Sequence, residues 1–426
     1  MAHVAVIGAG VIGAASAVEL LRDGHRVSIL DPGEPGGAQA ASFGNGCWLS
    51  PASVVPMSAP GIWRKVPGWV ADPLGPLTIR WPYLPRMLPW LAQFLAAGAT
   101  EAKVAATARA LRPLLEAAPE LHLSLAREAG VEALILRGGL LYVFPSRAAF
   151  GAEALAWRAR AAVGVRWVEL DEDELRQREP ALDRRYRFGV LVEEGGHCHD
   201  PSAYVAALVR HAERLGAARR VGRATGFRVE GGRLRAVRTE SDEIICDKAV
   251  IAAGARSGAL AAAAGDRVPL ESERGYHASI SRPEAAPRLP VMPSDGKVSV
   301  THMAGGLRIA GQVELAGLEA APNWRRAEIL RDLALRLLPG LPRDLPAARV
   351  SFWMGHRPSI ADGLPCIGPA SSSRDIIHAF GHGHVGLAAG AMTGRLVAEL
   401  AGDRAPGIDL WPYRARRFRR GARGGG

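Results

Sequence analysis

The sequence predicts an α/β fold in which a mainly parallel sheet is interleaved with a mixed-sheet α+β domain. Apolar runs of strand length end in small-residue turns at 3–10, 248–254 and 376–383, helical patterning follows the first and last of these, and residues 289–313 alternate like sheet.

The first of these turns is the most informative. His3–Ile7 reads as a buried strand, 11–23 as a helix ending at Gly24, and 26–30 as a second strand. Between them lies Gly8-Ala9-Gly10-Val11-Ile12-Gly13, with Asp31 eighteen residues beyond Gly13. Gly8 permits a tight turn, Gly10 lets the backbone approach a pyrophosphate, Gly13 lets helix and strand pack closely, and Asp31 can accept from a ribose hydroxyl. This is a Rossmann-like dinucleotide-binding unit.

At 426 residues the chain exceeds one ordinary core, and two intertwined domains without a clean linker are expected. Lys and Arg exceed Asp and Glu by eleven, but residues 411–426 hold six arginines and no acid, so much of the surplus is a tail. From Arg414 onward it reads as a solvated, frayed terminus, or as a weak membrane-surface or partner contact. No compact module interleaves aromatic and basic residues, so nucleic acid is not an expected partner. Cys47, Cys198, Cys246 and Cys366 form neither a metal-ligand nor a disulfide pattern and are expected as reduced thiols. The first strand begins at the third residue, so no signal peptide is expected and the reading is cytoplasmic; any membrane contact would be peripheral.

The loop after Pro32 runs through small residues to Ser42-Phe43-Gly44-Asn45-Gly46 and could pass a ligand without obstruction. Residues 54–95 carry Trp63, Trp69, Trp81 and Trp90 among prolines. They read either as a loop-rich lid or as an apolar platform for a membrane or a lipophilic electron acceptor. Helices are predicted at 101–129, 148–163, 202–215 and 324–338, and a strand at 139–144. The acidic stretch 171–180 reads as a solvated helix stopped by Pro180, without chemistry. Short strands are expected over 221–238, and a buried strand from Lys248 ends at Ala253-Gly254. A last glycine turn, Gly381-His382-Gly383-His384-Val385-Gly386-Leu387, opens a long apolar helix whose N–H groups can face an electron-rich ligand.

Together these stretches resemble the flavin-dependent D-amino acid oxidase superfamily, most closely its D-amino acid dehydrogenase branch, over nearly the whole chain. The resemblance rests on the opening glycine triplet with Asp31, the 42–46 loop, Asp200-Pro201 and Ala252-Ala253-Gly254. It rests further on Arg274-Gly275-Tyr276-His277, on Arg357-Pro358 with Asp362-Gly363 and Pro365, and on 381–387. It implies extended FAD rather than NAD, with the adenosine end on Gly8 to Gly13, Asp31 and Pro32. Ser42, Asn45, Gly46, Ala224, Ala253, Gly254 and the 381–387 turn would line the rest. The FAD domain would take 1–80, 200–265 and 352–426, and the substrate domain 81–199 and 266–351.

The resemblance also implies that Arg357 grips a substrate carboxylate, a task suited to a permanently charged fork. Tyr276 is a candidate for the same carboxylate, or for the pocket wall, and His302 and His382 are the histidine candidates for orienting substrate or tuning flavin. The reaction implied is D-amino acid oxidation by hydride transfer from Cα, with electrons passing to a quinone-type acceptor. The Arg274-Gly275-Tyr276 form departs from the Lys-Gly-Tyr pattern associated with D-alanine-oxidising members. D-proline or D-hydroxyproline oxidation, or a flavin-bearing subunit of a larger amino acid or opine dehydrogenase complex, therefore stays open.

Overall fold

The computed structural model describes residues 1–64, 68, 75 and 77–419. Six strands form one sheet in the order Ala218–Val221, Arg26–Asp31, His3–Ile7, Lys248–Ile251, Ile376–Phe380, Cys366–Pro369. The first five are parallel, and the last runs antiparallel to its neighbour. A parallel sheet is covered on both faces, so its strands need unbroken apolar runs. Alternate residues duly enter two cores. Val4, Val6, Ile29, Val250 and Ile377 pack with the Val11–Arg22, Pro201–Arg214 and Gly386–Ala401 helices. Ala5, Ile7, Leu30, Ile251 and Ile376 pack toward a three-stranded antiparallel sheet, Ala224–Glu230, Arg233–Thr239 and Glu243–Ile245.

The second large sheet has nine strands. Its main order is Val350–Ile360, Leu270–Ile280, Gly306–Leu315, Ser299–Met303, Val291–Pro293, Leu140–Phe144, Phe188–Val192, Val168–Leu170, with Leu77–Ile79 joining Gly306–Leu315. Two of its pairings are parallel and the rest antiparallel, so the sheet is mixed as expected. The Arg325–Leu337 helix covers one face through Ala327, Leu330 and Ala334. The chain thus enters each sheet several times.

Several elements differ from the sequence reading. The predicted helix at 101–129 is two, Glu101–Leu115 and Ala118–Glu128, with Pro119 at the start of the second. The 148–163 prediction is likewise broken, into Arg147–Gly151 and Ala154–Ala161. The end of the 54–95 segment runs into a helix, Leu84–Ala97, whose Pro85 sits in the first turn, where a missing N–H is tolerated. Within that segment Trp90 is buried and donates to the Ser359 carbonyl at 3.2 Å, while Trp63 and Trp81 are 59% and 67% exposed. Trp69 lies outside the described residues.

The tail is not frayed from Arg414. Arg417 binds Asp362 at 2.7 Å, Arg419 approaches Asp266 and Ala415 is buried; residues 420–426 lie outside the described residues. All four cysteines are free and buried. Among the described residues no helix is long and apolar enough to cross a membrane, and no His, Cys, Asp or Glu cluster could hold a metal ion.

Candidate active site

The glycine turns stand at the carboxyl ends of the parallel strands, where open α/β sheets bind ligands. Gly8 has φ +110°, and a Cβ there would lie 2.3 Å from the Ala252 carbonyl oxygen. A Cβ on Gly13 would lie 1.8 Å from the Gly8 carbonyl oxygen. Gly10 is different: a Cβ there would meet only Ser42 Oγ, at an ordinary contact distance of 3.7 Å, so the chain itself does not demand a glycine at this position. Gly10 caps the Val11–Arg22 helix without a side-chain bond, which leaves the first-turn N–H groups for an anion. The Ser42 hydroxyl is buried and has no hydrogen-bond partner among the described residues. Asp31 accepts from the Ala9 N–H at 2.7 Å and the Gly33 N–H at 2.9 Å, so its carboxylate is fixed at the strand end. Val11 is buried and Ile12 half-buried beside it, while Pro32 is exposed. Ala253 and Gly254, the latter with φ +56°, follow Ala252 against this turn. Ala224 begins its strand opposite Thr239, half-buried.

The far turn is built the same way. Gly381 and Gly383 have φ +86° and +51°, His384 and Val385 complete a short helical turn, and Gly386–Ala401 starts without a side-chain cap, with Leu387 buried. This helix packs directly on the N-terminal one: a Cβ on Gly390 would touch Val11 at 3.0 Å and one on Gly394 would meet Ala15 at 2.8 Å. The equal spacing makes the two helices parallel, so both uncapped N-termini face the same side. An orphaned buried hydroxyl, two open helix ends and an anchored acid fit an extended dinucleotide such as FAD.

Facing these turns is one side of the Leu270–Ile280 and Val350–Ile360 pair. Glu273 lies opposite Arg357, Gly275 opposite Gly355 and His277 opposite Trp353, so all six residues share a face. Arg357 lies across Gly275: a Cβ there would be 2.2 Å from the guanidinium carbon. Its N–H groups donate to the carbonyls of Gln312 at 2.8 Å and Gly311 at 3.1 Å. Gln312 has φ +59° at an irregularity in the strand pairing, a strained conformation that turns this backbone toward the guanidinium. Burial lowers the Arg357 pKa, opposed by the nearby Glu273 charge. Glu273 is buried and accepts from His384 Nε2 at 2.6 Å. Burial alone would raise its pKa, but His384, a Ser359 hydrogen bond and the Arg357 charge outweigh it and hold the carboxyl below its usual range. Glu273 therefore ties the cofactor turn to the strand bearing Arg357, as does the backbone bridge between Ser359 and His382.

The 38–46 loop is fastened to the same face. Trp353 donates to the Ala38 carbonyl at 2.9 Å and packs on Gly44 and Gly355, where a Cβ would strike its ring. It stacks on His277 with ring centroids 5.2 Å apart. Arg308 donates to the Phe43 and Asn45 carbonyls, and Ser299 and Thr301 donate to the Gly46 carbonyl at 2.8 and 3.0 Å. The Asn45 side chain accepts from the Cys47 N–H.

Two sequence candidates stand away from this face, and a third is sealed within the cofactor turn. Tyr276 pairs with Met354, so strand alternation turns it to the face opposite Arg357; its hydroxyl donates to Glu314 at 2.5 Å and accepts from the Asn323 N–H. His302 lies between Thr301 and Met303, both buried, and is itself exposed, on the other side from Gly46. His382 belongs to the cofactor turn, but its ring is buried against Thr393 at 3.0 Å, and burial pushes its pKa down to about 3. Burial and the Arg308 charge likewise push His277 to about 3. Both are neutral at ordinary pH. Gly275, Glu273, Trp353, Arg308 and the Gln312 carbonyl were missed as site elements. Reading 270–280 and 350–360 as paired strands would have placed the first three on the Arg357 face.

Residues 3–400 match the family described as FAD dependent oxidoreductase. The chain belongs to that family, and FAD is its cofactor. A D-amino-acid oxidase of Bradyrhizobium diazoefficiens is 59% identical over 416 residues, covering 98% of this chain and 99% of that one. A D-amino acid dehydrogenase of Sinorhizobium medicae is 32% identical, covering 95% of this chain and 97% of its own. Among solved structures, glycine oxidase from Geobacillus kaustophilus shares the fold, with a TM-score of 0.72 at 22% identity over 98% of this chain and 99% of that one.

Proposed function

We propose that the protein oxidises the Cα–N bond of a D-amino acid to an imine, which water then converts to a 2-oxo acid and ammonia. The observation that carries this reading is a half-buried guanidinium, Arg357, facing the cofactor turns with only backbone carbonyls as hydrogen-bond acceptors among the described residues. Full-length similarity to a named D-amino-acid oxidase supports the choice of substrate class. Bound FAD supplies a two-electron acceptor. The chain's own part is placement. Arg357 exchanges neutral carbonyls for the substrate carboxylate, the stronger partner for a charged donor, and so fixes where Cα–H points. Trp353, His277 and Phe43 hold the loop that closes the site against water. Burial holds His277 and His382 down to about 3, so neither is a strong base, and on this reading the amine arrives neutral.

Dioxygen is the acceptor on this reading, in keeping with the oxidase named above. A second reading, a quinone-type acceptor at a membrane surface, is favoured by the exposed Met57, Trp63, Trp81 and Leu88. The test is turnover of the purified single chain on D- and L-amino acids, D-proline and D-hydroxyproline, with oxygen uptake measured against reduction of a quinone analogue. Preference for acyclic D-amino acids is expected. Turnover confined to the cyclic imino acids or to L-substrates would overturn the substrate assignment. Activity only after adding other proteins would mark a subunit of a larger complex.

A further inference from the structure

The structure points to a second anion site, at the end of the parallel sheet away from the cofactor. The Cys366–Pro369 strand runs antiparallel to Ile376–Phe380, with Pro369 opposite Ile377 and Cys366 opposite Phe380. Gly381 leaves the far end of that pair, so Pro369 marks the opposite edge. Two adjoining cavities of about 190 and 240 Å³ open here and share Pro369, Arg374 and Arg414 as a common wall. The first adds Arg404 and Asp403, and the second adds Arg416.

The charges in this groove do not cancel. Asp403, its one acid, is held by Lys248 at 2.8 Å, and Arg404 is paired with Asp23. Arg374 and Arg416 have no side-chain hydrogen bond or ion pair among the described residues, and the Arg414 guanidinium lies over the exposed Trp411 ring. The neighbouring arginines of the same segment behave otherwise: Arg417 and Arg419 turn inward to Asp362 and Asp266. Two arginines therefore anchor the segment while Arg414 and Arg416 join Arg374 around a concavity. Asp403, bonded to Lys248, is the one acid whose charge Arg374 also feels, so the guanidiniums outnumber the acid, and convergent forks in such excess match the several oxygens and multiple charge of a phosphate group.

We propose that this groove binds a phosphate-bearing ligand, as a soluble phosphate ester or as a phospholipid headgroup. The test uses the FAD-loaded protein, inorganic pyrophosphate in calorimetric titration, and sedimentation with phosphatidylglycerol-containing vesicles against pure phosphatidylcholine. The double variant Arg374→Gln/Arg416→Gln is compared with Arg331→Gln/Arg343→Gln, which removes the same charge elsewhere. Binding to pyrophosphate, to the anionic vesicles or to both, weakened at least tenfold in the groove variant alone with amino acid turnover unchanged, is expected. Pyrophosphate binding without sedimentation identifies a soluble ligand, and sedimentation identifies lipid. No binding to either, or equal loss in both variants, would overturn the proposal.

Discussion

Arg357 carries the heaviest expectation at the level of single residues. Arg357→Ala removes charge-assisted hydrogen bonding worth about 1.5–3 kcal/mol, so KM for the amino acid should rise by roughly ten- to a hundredfold, with kcat falling as Cα loses its aim; Arg357→Lys should recover part of the loss. Steady-state kinetics on the FAD-loaded variants decide it, and unchanged constants would remove Arg357 from the site. Gly275→Ala is a subtler probe, because the added methyl occupies the space of the guanidinium carbon. It should mimic Arg357→Ala in KM while leaving flavin content intact. With His277 and His382 neutral, kcat/KM should rise with pH toward the pKa of the substrate amine, and His382→Gln should leave that apparent pKa where it is. Arg357 was singled out through the resemblance of its Arg-Pro element, and the structure places it on the strand face turned toward the glycine turns. Tyr276 was misread because adjacency to Gly275 in the chain means opposite faces in a strand.

Among secondary elements, the packing of the Val11–Arg22 helix on Gly386–Ala401 aligns two open N-termini. Gly394→Val should wedge them apart, since even a Cβ falls 2.8 Å from the Ala15 backbone. The expected result is FAD affinity reduced at least tenfold, read by flavin fluorescence titration. Another element is fastened by Glu179, which follows the Glu172–Arg178 helix and accepts the N–H groups of Arg288 and Leu289. Burial pushes its carboxyl up to about 7, against those two bonds. The folded state then keeps a proton that the unfolded chain releases near the ordinary value of 4.5. Stability is full below that pH and declines as pH rises to about 7, by about 3 kcal/mol. Glu179→Gln should flatten this slope in denaturant unfolding measured across pH 5–8. The glycine turns and buried strands were readable because three-dimensional need and local composition coincide there. The breaks at 116–117 and 152–153 were not, since alanine-rich stretches keep helical patterning through a bend that only tertiary packing imposes.

For the whole molecule, the cofactor turns, the Arg357 strand and the 38–46 loop come from distant parts of the chain and meet at one place. FAD at a hundred times its Kd should therefore stabilise the protein by about 2.7 kcal/mol, seen as a raised denaturant midpoint; an unmoved midpoint would contradict the cradle described here. The two-sheet plan was foreseeable from the order of apolar runs, whereas the nine-stranded pairing was not, because long-range register leaves little trace in local pattern. That register has its own safeguard. Along Leu270–Ile280, the side away from the glycine turns buries Arg274 and Tyr276 against Glu314 of the neighbouring Gly306–Leu315 strand. Sliding the ribbon by a single residue would exchange its two sides, parting Arg274 and Tyr276 from Glu314 and turning a charged side chain toward the glycine turns. A buried ion pair and its tyrosine neighbour thus act as a key for the register, because a shifted pairing would leave their charges buried and unpaired.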